Sequence, residues 1–157
     1  MGAWIIFLLI IIVLFLLVGL YVKKKRIAKA ATIVRNSSET IVDDAMKFVA
    51  ETSKNFGVSF SGTKGNSVAD VWGQLVVGFN YKAEVTQELS DTKNISGVRE
   101  KIDLALKDYS KEHHLEDREG PLLRVSDIWI NDRILDIDVV YLINQQTKDY
   151  LKDLSKL

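Results

Sequence analysis

Cysteine is absent from the 157 residues, and proline occurs once. Without a thiol the chain can have no disulfide framework, Fe–S cluster, thiolate zinc site or cysteine nucleophile, and no palmitate or lipoprotein anchor. One proline and nine glycines exclude a collagen-like or proline-rich linker protein. The only histidines, His113 and His114, are adjacent; on a helix they diverge by about 100° and cannot easily share a metal. Charge is also missing locally. Residues 3–22 carry none, and no acid precedes Glu39. Six Lys and Arg fall in residues 23–35, while residues 36–157 hold 15 Lys and Arg against 21 Asp and Glu. The formal net charge of zero is therefore a basic segment beside an acidic body.

What fills the uncharged stretch is AWIIFLLIIIVLFLLVGLYV. Twenty such residues make roughly 30 Å of helix, the thickness of a bilayer's hydrocarbon core, with Trp4 and Tyr21 near opposite ends where aromatic rings favour the interface. A soluble helix this apolar would need burial on all sides, and the remaining chain is too small to surround it. A cleaved signal peptide is disfavoured because the basic n-region is missing and no small-x-small site closes the run. Ile6 stands where myristoylation needs Ser or Thr. Lys23, Lys24, Lys25, Arg26 and Lys29 follow the span, and no cation precedes it. The positive-inside bias predicts a single-pass protein of the cell membrane with its N-terminus outside and its C-terminal domain cytoplasmic. The same cations face anionic lipid headgroups, which makes membrane lipids the first expected partner.

Beyond the collar, Ile27, Ala31, Val34, Ser38, Ile41, Ala45, Phe48 and Thr52 recur at alternating steps of four and three. This is a heptad stripe just under four repeats long. Ile33, Val42, Met46 and Val49 broaden it beyond a coiled-coil seam, so packing on the chain's own domain is the expectation. Weak homo-oligomerisation through residues 27–52 is the alternative. Gly57 is placed to stop the helix in the left-handed conformation.

The expected organisation is a transmembrane anchor at 1–22, a basic collar and helical stalk at 23–56, and a cytoplasmic domain at 57–157. Residues 57–67 read as turn-rich, with at most a short strand at 58–60. A helical turn near 67–72 and a strand over about 74–86 follow, the latter from the alternation of Leu75, Val77, Phe79, Tyr81, Ala83 and Val85. Residues 91–97 read as a loop, and Val98, Ile102, Ala105, Leu106 and Tyr109 mark one face of a helix to about 113. A hairpin is expected over 122–143 with Asn131 and Asp132 at its turn. Its second strand puts Leu135, Ile137, Val139, Tyr141 and Ile143 on the core face. Asn144 then caps a final helix. The fold class is α+β: an antiparallel sheet of three or four strands with helices packed on one face.

Catalytic motifs fail in turn. G-x-S-x-G and G-x-G-x-x-G are absent, and residues 62–67 hold the ingredients of a phosphate loop in the wrong order. His113 and Asp117 have the spacing of a helical metal pair, but the helix is expected to end between them. Asp136 and Asp138 share a strand face at roughly 7 Å, a pair that could hold Mg²⁺ or Ca²⁺ or act as acid and base. The plainer reading makes them solvated hairpin acids opposing Arg124 and Arg133. The acidic body disfavours nucleic acid. No cofactor is expected.

In layout alone the chain resembles single-pass bacterial proteins with an outside N-terminus, a basic collar and a cytoplasmic module: envelope-machinery adaptors and small prophage-encoded superinfection-exclusion proteins. The resemblance covers no motif and assigns no residue. It implies a non-catalytic accessory protein with a protein partner, for which Trp72 and Trp129 are the candidate contacts. An exclusion or immunity role is an alternative of the same class. A membrane-tethered, metal-dependent hydrolase using Asp136 and Asp138 is the alternative of another.

Overall fold

A computed structural model describes residues 2–52, 57–68, 73, 75–86 and 92–156. In chain order the elements are α1 (Gly2–Thr52), β1 (Val58–Phe60), β2 (Asn66–Ser67), β3 (Gly78–Val85), α2 (Thr92–Glu112), β4 (Glu116–Asp117), β5 (Gly120–Pro121), β6 (Leu123–Asn131), β7 (Ile134–Tyr141) and α3 (Gln145–Leu154). The class is α+β, as the alternating and helical patterns predict.

Helix α1 is unbroken for 51 residues, or roughly 75 Å at the ordinary rise. It contains no proline, and an added Cβ at Gly19 would meet nothing. Thr32 and Ser38 donate to the carbonyls of Ala28 and Val34 four residues back, so their hydroxyls need no outside partner. The apolar part is long enough to cross a membrane and none of its hydrophobic window is buried. From Val34 onward the helix has a different environment. Ser38, Val42, Ala45, Met46 and Val49 are buried, with Val34, Ile41 and Phe48 packed at their flanks. The broad face predicted from Val42, Met46 and Val49 thus packs in cis, while Ile27 and Ile33 stay exposed. Gly57, at φ 75°, takes the left-handed conformation expected of it.

The main sheet is antiparallel with order β1-β3-β7-β6, and β2 joins β1 on the outer edge of β3. It has five strands, not three or four: Asn66 and Ser67, read as turn, pair with Asn80 and Phe79. Alternation along β3 and β7 sends Phe79, Tyr81, Ala83, Leu135, Ile137 and Val139 into one core with α1 and with Val98, Ile102 and Leu106 of α2. Each Val, Leu, Ile or Phe among them, fully buried, stabilises by about 1.5–3 kcal/mol. Tyr81 also ties the sheet to α1. Its hydroxyl donates to Asp43 Oδ1 at 2.7 Å, and the same oxygen accepts from the Gly65 amide at 2.9 Å. Gly65 lies so close that an added Cβ would sit 2.6 Å from the Tyr81 ring.

Several boundaries differ from expectation. Helix α2 begins at Thr92, not after Gly97, because Gly97 lies in open space and merely weakens a helix it does not interrupt. Strand β7 ends at Tyr141, and Ile143 is 48% exposed instead of core. The hairpin turn falls one residue later, at Asp132 and Arg133, with Asn131 paired to Ile134 and Asp132 at φ 56°. Ser67 belongs to β2, so the predicted helical turn does not begin there; residues 69–72 lie outside the described residues.

The helices are not all on one face. While α1 and α2 cover the apolar side, α3 lies across the other, where Tyr150 meets Asp138 and Ser126 and the buried Thr147 accepts the Val77 amide. That second face could not stay bare, since Val140 is on it and is fully buried. Asn144 caps α3 as predicted, accepting from Thr147 N at 2.8 Å.

Candidate functional site

Two regions hold the side chains that the sequence singles out. The first is the collar. Lys23, Lys24, Lys25 and Arg26 are consecutive on α1, and at about 100° per residue they point around most of the helix circumference. Lys29 extends the ring by one turn. All five are exposed, and among the described residues none lies within ion-pair distance of a carboxylate. A ring of unpaired cations at the end of an apolar helix can bind anionic groups from any direction.

The second region is the outer face of the sheet. Register places Asp138 between Asn80 and Asp127, and Asp136 between Lys82 and Trp129. Both acids are buried, Asp138 to 4% and Asp136 to 9% exposure, so they are not the solvated pair of the plainer reading. Nor do the arginines oppose them: Arg124 lies 3.8 Å from Asp103, and Arg133 donates to the Val85 carbonyl. Pairing brings Lys82 opposite Asp136 instead, at 3.7 Å, and the Asn80 amide donates to Asp138 at 2.9 Å. Burial pushes the Asp138 carboxyl above its ordinary value; Asn80 opposes that shift, and the charges of Asp127 and Asp136 add to it. Tyr150 lies over the row, its phenol pushed up to about 12 by burial and by Asp138.

Chemically this face is a set of neighbouring carboxyls engaged by local partners. Among the described residues no group of three or more His, Asp or Glu is placed to hold a metal ion. Beside it, a cleft of about 710 Å³ opens between α2, β6 and α3, lined by Arg99, Arg124, Ser126, Asp127, Lys148 and Lys152 among others. Its cations are largely engaged. Arg99 donates to the carbonyls of Val125 and Ser126, and Asp103 accepts the Val125 amide. The open edge of β6, which could otherwise recruit a foreign strand, is thereby covered. Lys148 bridges Asp117 and Glu119 at 2.6 and 2.8 Å. Arg99, Asp103 and Lys148 escaped the sequence reading because only the topology brings them to β6 and to the β4-β5 ribbon.

The remaining candidates separate. Trp129 is 42% exposed on the outer face, and Trp72 lies outside the described residues. His113 stacks on Tyr109 at 4.0 Å, His114 lies in the turn after α2 at φ 56°, and Asp117 is taken by Lys148, so no helical metal pair forms. In residues 62–67 the Gly65 amide already serves Asp43, which leaves a carboxylate where a phosphate loop would need an anion.

Compared with known proteins, the chain matches no family model, no curated sequence and no solved structure.

Proposed function

We propose that this protein is a single-pass, membrane-anchored accessory protein that presents an acidic α+β domain to a protein partner at the cytoplasmic face of the cell membrane. The observation that carries the reading is the exposure of every described side chain of α1 from Trp4 to Val22, directly followed by the unpaired collar. Apolar surface of that extent, about 30 Å long, is stable in lipid and unstable in water. Because the same helix continues into the domain's core, the anchor and the module are one element.

An interaction role is supported by Trp129, which offers an aromatic anchor on a face whose carboxyls are internally engaged. The hydrolase reading has less support, since Asp136 and Asp138 are committed to Lys82 and Asn80. A reporter fused after Leu157 should be active only in the cytoplasm, and activity on the outer side would overturn the orientation. Crosslinking from Trp129 in cells should recover a protein partner. Recovery of neither a partner nor a second copy would overturn the interaction role.

A further inference from the structure

The acid excess of the domain is reversed in one place. Residues 36–157 hold 15 Lys and Arg against 21 Asp and Glu, yet four cations and three acids line the cleft of about 710 Å³ between α2, β6 and α3. The two signs also differ in what the domain has left over. Each lining acid accepts a bond from the domain itself: Asp127 from the Ile128 amide, Asp149 from Gln145 Nε2 and Glu119 from Lys148 Nζ. Among the cations Lys148 is committed to Asp117 and Glu119, but the other three keep donors. Arg99 uses one nitrogen on the Val125 and Ser126 carbonyls, which leaves its Nε and its other Nη. Arg124 lies 3.8 Å from Asp103, beyond hydrogen-bond distance. Lys152 is within ion-pair distance of no carboxylate among the described residues. These three cations stand on α2, β6 and α3 and line one space.

Part of the wall is apolar. Leu142, Leu151 and Leu154 line the same cleft and are half-buried, so each has surface open to an occupant. Arg124 and Asp127 lie on the outer face of β6, and Trp129 follows on that face two residues, roughly 7 Å, past Asp127. Arg124 to Trp129 is roughly 16 Å of strand, the span of a short extended segment. An occupant that matches all of this carries carboxylates for the free donors, apolar side chains for the leucines, and length enough to reach Trp129. On the protein-partner reading proposed above, on which this inference rests, we infer that the cleft receives an extended acidic segment of the partner, its carboxylates on Arg99, Arg124 and Lys152 and its apolar side chains on Leu142, Leu151 and Leu154. A small inorganic anion would leave the leucines unused. A basic segment would meet three cations with spare donors and only acids that are already bonded. Charges are screened beyond about 8 Å at physiological salt, so the sign inside the cleft outweighs the acid excess of the domain around it.

The test uses the full chain in detergent and the peptide Asp-Leu-Glu-Leu-Asp carrying a neutral fluorophore, with binding read by fluorescence anisotropy. Affinity should fall roughly tenfold or more in the R124Q/K152Q double variant, the effect of losing two charge-assisted bonds. It should be kept in K107Q/K111Q, which removes equal charge from α2 outside the lining; all four side chains are exposed, so neither variant disturbs the core. The peptides Lys-Leu-Lys-Leu-Lys and Asp-Ser-Glu-Ser-Asp should each bind more weakly than the first. Equal loss in both double variants would overturn the site in favour of diffuse attraction. Equal binding of the serine peptide would leave a simple anion site and overturn the segment, and no binding of the first peptide at millimolar concentration would overturn the cleft. Crosslinking from Trp129 in cells separates the two levels. A partner recovered by a chain whose cleft does not take the peptide overturns the cleft alone, and failure of both overturns the interaction role with it.

Discussion

The two halves of α1 are one uninterrupted helix with opposite surroundings. Residues 6–22 are Ile, Leu, Val and Phe with hardly an exception, and all are exposed. Residues 34–49 mix apolar, small and charged side chains, and there one broad face is buried, completely along Val42, Ala45, Met46 and Val49. Hydrophobicity alone therefore does not identify the folded core of this protein. The more hydrophobic half contributes nothing to the core, and what distinguishes the other half is a one-sided pattern that a sheet can cover. The same side chain should accordingly have different energetic weight in the two halves.

The sharpest way to break that comparison is truncation at matched positions. Met46→Ala removes a fully buried side chain and should cost about 2–5 kcal/mol. Leu14→Ala, in the exposed half, should leave the domain's thermal unfolding within about 0.5 kcal/mol of the parent. Both are measurable on the detergent-solubilised chain. Equal destabilisation would mean that the apolar half packs on the domain after all.

A smaller effect tests the polar tie between the buried half and the sheet. Burial together with the bond to Asp43 pushes the Tyr81 phenol far up, so at any ordinary pH it is a donor. Tyr81→Phe removes that donor from Asp43 and should cost about 1.5 kcal/mol, towards the low end for a charged acceptor because the Gly65 amide remains. A denaturant midpoint unchanged from the parent would show that Asp43 does not depend on the tie.

How much of this was legible in the sequence follows from which forces are local. The apolar run, the collar, the Asn144 cap and the alternation of β7 depend on neighbouring residues, and they can be read directly. The burial of Asp136 and Asp138 could not, since it depends on α3 returning across the outer face, and a sequence of ten residues with Tyr150, Leu151 and Leu154 does not say which face it will cover. Strand β2 was equally hidden. Two residues of Asn and Ser carry no strand propensity, and they pair because β3 is long enough to hold two short partners on one edge. The partner of Asp136 was misread for a related reason: proximity within the hairpin suggested arginine, whereas the third strand supplied Lys82.

Asn144→Ala probes the end of the domain that carries Leu75 and the start of α3. It removes the acceptor for Thr147 N and the donor to the Leu75 carbonyl, and should cost about 1 kcal/mol. Hydrogen exchange should show faster opening in residues 75–77 and the first turn of α3, with α2 unchanged. Uniform acceleration would mean that the two ends of the domain unfold as one unit.

The smallest expected effect has the opposite sign, and it carries the comparison to the two faces of β7. On the apolar face burial stabilises; on the outer face it acts against a charge. Because the folded-state pKa of Asp138 is raised, the native state holds its proton more tightly than the unfolded chain does. The associated stability is fully present below the unfolded value of about 4 and is lost as pH rises through the folded value. Asp138→Asn keeps an oxygen for the Asn80 amide but cannot ionise. The variant should therefore lack this loss, and at pH 7 it should match or exceed the parent in stability. The difference between the two melting curves should narrow as pH is lowered towards 4. Adding millimolar Mg²⁺ to the parent gives the contrary reading its own chance. A rise in melting temperature that Asp138→Asn abolishes would mean that the carboxyl binds a cation strongly enough to leave Asn80, and the outer face would then be a site instead of a buried polar layer.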